Sequence, residues 1–111
     1  DLWGATALYL QCPETGSFIA YKKLKNNAIA TLEIPEEAKR SSATTRKCRA
    51  EKVRVLKIER DGKELKFGMS ARGGAYEVGK ETVADSWDCD RWNECSHGIH
   101  FFITRWEAEE W

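Results

Sequence analysis

At 111 residues, with 41% hydrophobic and 32% charged side chains, the chain has the size of a single domain with one core, and its composition excludes a disordered polymer. No apolar run approaches the roughly 20 residues of a helical bilayer crossing, so no membrane association is expected. Net charge is zero but uneven: residues 1–66 carry 14 Lys and Arg against 9 acids, and residues 67–111 carry 4 against 9, so the halves either attract each other or offer opposite faces to different partners.

The chain opens at Asp1 without a Met and without a charged-then-apolar leader, which reads as a piece of a longer, cytoplasmic protein. In "DLWGATALYLQC", Leu2, Ala7 and Cys12 recur every fifth residue, a spacing similar to that of pentapeptide repeats. A square coil needs four such units, so residues 1–16 are expected to be a repeat remnant or linker before a domain spanning 17–111. Cys12-Pro13 and Thr15-Gly16 mark the turn between them.

From Ser17 the period is two. "SFIAYKKL" leads through Asn26-Asn27 to "AIATLEI", a hairpin whose Ala28, Ala30, Leu32 and Ile34 share one face, with Asn supplying positive φ. Pro35 ends the second strand and is expected to open a helical turn at "PEEAKR". In "KVRVLKIE" the alternation shifts at Val55-Leu56, which predicts a bulge, with Val53 and Val55 on one face and Leu56 and Ile58 on the other. Asp61-Gly62 predicts a two-residue hairpin turn into "KELKF", and "AYEV" reads as a short strand after Gly73-Gly74.

Residues 81–97 are polar and irregular and are expected to form a long ordered loop. "IHFFI" then predicts a strand with Ile99, Phe101 and Ile103 on one face and His100 and Phe102 on the other. Thr104 and Glu107 make a T-x-x-E capping box, so residues 105–111 should be a short helix. Trp106 and Trp111, five apart, cannot both face one core line, which leaves one to cover a neighbour. The fold class is therefore α+β: one small domain with an antiparallel, β-rich core and a short C-terminal helix.

Four cysteines at irregular spacing, 12, 48, 89 and 95, read as reduced thiols. Cys89, Cys95, His97 and His100 supply ligand atoms suited to zinc, but no C-x2-C knuckle frames them. The preferred reading packs the two cysteines as small apolar residues and His100 as a hydrogen-bonded histidine, with no cofactor; a zinc-stabilised module is the alternative. A Cys with a nearby His could also act as a nucleophile, yet nothing local activates Cys48 or Cys95 convincingly.

The stretch Lys39 to Arg49 holds five cations, four hydroxyl side chains and no acid, a composition suited to an anion. The plain alternative is a solvated loop between strands. Nucleic acid is not favoured, because such a surface would normally add exposed aromatics and excess positive charge, and here the net charge is zero. Trp87 and Trp92 flank Cys89 beside Asp85, Asp88, Asp90 and Glu94, which would make an aromatic patch with an acidic rim.

Taken with "SFIAYKKL" and "YEVGKETVADSWD", the segments "KRSSATTRKCRA" and "RWNECSHGIHFFITR" resemble a family of uncharacterised bacterial and phage domains that commonly follows pentapeptide repeats. The resemblance spans Ser17 to Trp111 and implies no activity. "GIHFFI" is also similar to the glycine-led strand of ADP-ribosyltransferase-like folds, which would direct attention to Tyr21, Glu94 and His100 as parts of a nucleotide-using enzyme. The function expected from the residues is a non-catalytic binding module that holds a small anionic ligand or an acidic partner protein through Arg46, Lys47, Arg49 and His100.

Overall fold

The computed structural model describes residues 12–13, 15–42, 47–71, 73–84 and 98–111. Ten strands, β1 (Phe18–Lys23), β2 (Ile29–Ile34), β3 (Arg40–Ser42), β4 (Lys47–Ala50), β5 (Lys52–Arg60), β6 (Lys63–Leu65), β7 (Phe67–Met69), β8 (Ala75–Glu77), β9 (Glu81–Val83) and β10 (Ile99–Phe102), precede one helix, α1 (Arg105–Glu110). All recorded pairings are antiparallel. The main sheet runs β3-β4-β10-β1-β2-β5-β6 with β9 also on β5, and β7 and β8 form a separate ribbon. The expected α+β class, β-rich with a short C-terminal helix, is the one observed.

The main core lies on the sheet face set by the period-two pattern. Ala20, Ala30, Leu32, Ile34, Cys48, Ala50, Val53, Val55, Ile99 and Phe101 are all buried there, and Tyr76 packs onto them from the β7–β8 ribbon. That ribbon comes close because Gly68 lacks a side chain: a Cβ there would stand 2.7 Å from Leu24 Cδ1. The opposite face carries a smaller cluster of Ile29, Phe102 and Ala108 with Tyr21, where α1 covers β1, β2 and β10.

Local chemistry accounts for the turns. Asn26 and Asn27 sit at φ 63° and 61° in the connection between β1 and β2, the positive φ expected of them, and the connection is closed by Leu24 N–H donating to the Ala28 carbonyl at 2.8 Å. Asp61 and Gly62, at φ 52° and 76°, join Arg60 and Lys63 in the two-residue hairpin expected of Asp-Gly. Thr104 caps α1: Glu107 N–H donates to Thr104 Oγ1 at 3.3 Å, while the hydroxyl donates to Glu107 Oε1 at 2.8 Å.

Several expectations need correction. After Pro35 there is no helix, only a turn closed by Ala38 N–H to the Pro35 carbonyl at 3.0 Å. The bulge is present, since Thr31 pairs Lys57 and Leu32 pairs Val55, skipping Leu56. Its consequence differs from the simple alternation: the extra residue resets the parity, so Ile58 joins Val53 and Val55 in the core and Leu56 is exposed. "KELKF" is broken at Lys66, and Phe67 belongs to the ribbon with β8, 52% exposed. Glu81–Val83, expected within a loop, is β9, held by β5. Trp106 and Trp111 are both largely exposed, Trp111 stacking at a tilt on Phe102 with ring centres 5.6 Å apart.

Lys39 to Arg49 is not a free loop where it is described. It forms the edge hairpin β3–β4, and Arg40 spends its guanidinium on main-chain carbonyls: Nε on Ala38 at 3.1 Å, Nη2 on Pro35 at 2.6 Å and Glu36 at 3.1 Å, and Nη1 on Gly16. The same group lies 5.2 Å over the Phe18 ring. Among the described residues no helix is long and apolar enough to cross a membrane.

Candidate functional site

Two neighbouring strands part at one end of the main sheet. Among the described residues β1 and β10 share one register pair, Tyr21 with Phe102. Beyond it, toward Leu24 and Gly98, β1 stays on β2 while β10 stays on β4, and Lys22 Nζ reaches across to donate to the His100 carbonyl at 2.8 Å. A cavity of about 570 Å³ opens along this gap. Its volume lies within the range of small-molecule sites.

Its walls are built from both layers. Leu24, Ile99, Phe101, Phe102 and the ring of Tyr76 give apolar surface, and Val83 adds to it from β9. Ser70, Thr82 and His100 contribute polar groups. Ser70 is fixed by the turn it closes, its Oγ accepting from Gly74 N–H at 3.0 Å, and Thr82 Oγ1 donates to the Ala75 carbonyl at 3.0 Å. Burial pushes the Tyr76 hydroxyl well above its usual range, so it stays protonated and neutral at physiological pH.

The rim is cationic. Lys22, Lys23 and Lys25 all line the cavity, and no Asp or Glu does so among the described lining residues. Lys25 is exposed at the mouth, and Lys23 Nζ bonds the Glu109 carbonyl of α1 at 3.4 Å. Three like charges within four positions create a local positive potential over a cavity whose lining is part apolar and part polar.

The residues expected from sequence divide among three places. His100 lines the cavity and is buried. Arg49 is its register partner on β4, also buried, and Lys47 pairs Phe102 on the same strand. Because side chains of register partners share a face, Arg49 and His100 do come together, on the face that also carries Tyr21. Arg49 is not among the residues lining the cavity. Arg46, Glu94, the aromatic patch around Trp87 and Trp92, and the zinc candidates Cys89, Cys95 and His97 lie outside the described residues. Among the described residues no group of three or more His, Cys, Asp or Glu is placed to hold a metal.

Sequence reasoning missed Lys22, Lys23, Lys25, Ser70 and Tyr76. The signal was "YKKLK", three lysines at the end of a strand, which alternation alone assigns to solvent.

Comparison with known proteins places the chain in a family without assigning it an activity. A family model described as a family of unknown function, DUF5758, matches residues 8–108, and the chain belongs to that family. No curated protein and no solved structure matches it.

Proposed function

We propose that the domain is a binding module whose cavity between β1 and β10 takes a small amphiphilic anion: an apolar or aromatic body with a carboxylate, sulfonate or phosphate head. The observation that carries this reading is a cavity that joins apolar wall from Leu24, Ile99, Phe101, Phe102 and Tyr76 to the cationic side chains of Lys22, Lys23 and Lys25. The apolar walls would supply most of the affinity, at about 25 cal/mol per Å² of surface removed from water. The lysines would set the sign of the head group and make binding weaken as salt rises. His100, an expected site residue among the described lining residues, would face the ligand; Arg49 would brace His100 from the neighbouring strand.

The fivefold spacing of Leu2, Ala7 and Cys12 supports a module that follows a pentapeptide-repeat scaffold. In that setting the domain would present its ligand, or respond to it, at the end of a rigid rod.

Fluorescence titration with anilinonaphthalene sulfonate tests the reading, because this probe joins an aromatic body to a single anionic head. The expected result is saturable one-site binding to the native protein, lost in Ala71→Trp, which fills the mouth, and weakened about threefold in Lys25→Glu. Equal binding by all three proteins, or none by the wild type, would refute it.

A further inference from the structure

The mouth of the cavity carries an aromatic surface that the fold does not bury. Trp111, directly after α1, lines it and is 68% exposed. Its indole lies 5.6 Å from the Phe102 ring between centres, tilted by 51°, and Phe102 is itself one of the cavity walls. The buried rings of Tyr76 and Phe101 continue the aromatic surface inward. Trp106 is equally exposed on the same helix, yet it is not among the residues lining the cavity.

The position of the indole is set by the helix. Trp111 N–H donates to the Glu107 carbonyl at 3.2 Å, which closes the last turn. At one end of α1 Arg105 bonds Glu59 of β5 at 2.7 Å; at the other, Lys23 Nζ donates to the Glu109 carbonyl at 3.4 Å. The second contact ties the end of the helix to the cationic rim. A ring laid against the indole therefore has an ammonium group close by for the head it carries.

An exposed indole covered by a hydrocarbon chain gains what burial gives. Covered by another aromatic ring it gains more, because the electron-rich face and electron-poor edge of the two rings attract in offset or edge-to-face arrangements. A saturated ring of the same skeleton lacks that attraction and is too thick to lie flat. One well-made aromatic pair corresponds to a preference of about fivefold over burial alone.

We propose that the ligand of this cavity is an aromatic anion, its ring packed on Trp111 and Phe102 and its head held by Lys23, with Trp111 the residue that selects aromatic over aliphatic bodies. The inference rests on the anion-binding reading of the same cavity and narrows it to one class of ligand.

The test compares naphthoate with decahydronaphthoate, which share a skeleton and a carboxylate and differ in aromaticity. Amide NMR titrations of the intact chain at low salt give a dissociation constant for each. Naphthoate should bind about fivefold more tightly, although the saturated compound is the more hydrophobic. Trp111→Leu should bring the two constants together, Trp111→Phe should keep most of the preference, and Trp106→Leu should keep all of it. Equal affinities in the wild type, or a preference that survives in Trp111→Leu, would overturn this inference and leave the anion cavity standing. Saturable binding of neither compound would overturn both.

Discussion

Replacing Arg40 tests how the edge hairpin is fixed. Its guanidinium donates to the carbonyls of Gly16, Pro35, Glu36 and Ala38, tying the turn between β2 and β3 to the residue stretch just before β1, and it covers the Phe18 ring. A hydrogen bond from a charged donor contributes about 1.5–3 kcal/mol when buried, but these are at most half-buried, and the carbonyl of Glu36 is exposed enough to turn to water. Counting three effective bonds at about 1 kcal/mol each, with roughly 0.5 kcal/mol from the ring, Arg40→Met should cost about 3.5 kcal/mol. Arg40→Lys keeps the charge and the stem but cannot reach several carbonyls at once, so it should still cost about 2 kcal/mol. Urea unfolding followed by tryptophan fluorescence would read both losses as a lower midpoint at unchanged slope. If Arg40→Lys unfolded within about 0.5 kcal/mol of the wild type, the fork of carbonyl contacts would not be what stabilises this corner.

Three further outcomes follow from the same structure. Thr104→Ala removes the cap of α1 and should lower stability by about 1 kcal/mol, measured by the same unfolding curves. Gly68→Ala sets a Cβ 2.7 Å from Leu24 Cδ1 in a packed core, so a loss of about 1–2 kcal/mol is expected, recovered in part by Leu24→Val. The Arg105 guanidinium at 2.7 Å, with Lys57, holds the Glu59 carboxyl below its ordinary value of 4.5. A depressed folded-state value stabilises above the unfolded value, and this support is lost as pH falls through the folded value. Thermal melts of Glu59→Gln should therefore fall less steeply than wild type on acidification below about pH 4.5, with the two converging in acid.

Where a few adjacent residues decide the geometry, the sequence was a sufficient guide. Asp61-Gly62, the Asn26-Asn27 pair, the Thr104 and Glu107 box and the alternating Ala28, Ala30, Leu32 and Ile34 each carry their conformation in local sterics or a fixed hydrogen-bond spacing. The slip at Val55-Leu56 was visible as well, but which face Ile58 took depends on whether the bulge restores parity, a matter settled by pairing with β2. β9 has no signal of its own because three residues cannot nucleate a strand; β5 supplies the template. The ribbon β7–β8 depends on the close approach of Gly68 to Leu24, a contact between residues 44 apart. The cavity is least legible of all, since it arises where β1 and β10 diverge, and "YKKLK" looks like an ordinary solvated strand end until that divergence is known. Arg40 shows the converse. It belongs to the cation-rich stretch that suggested anion binding, yet its donors are taken by the chain's own carbonyls.

The most direct test of the anion-binding account is a two-dimensional amide NMR titration of the reduced domain with octanoate, a simple apolar carboxylate. The account predicts saturable shifts centred on Lys22–Lys25, Ser70, Gly74, Tyr76 and Gly98–Phe102, reduced when salt is raised. Shifts confined to the β3–β4 hairpin, or no saturable shifts at any octanoate concentration below its micelle threshold, would contradict it.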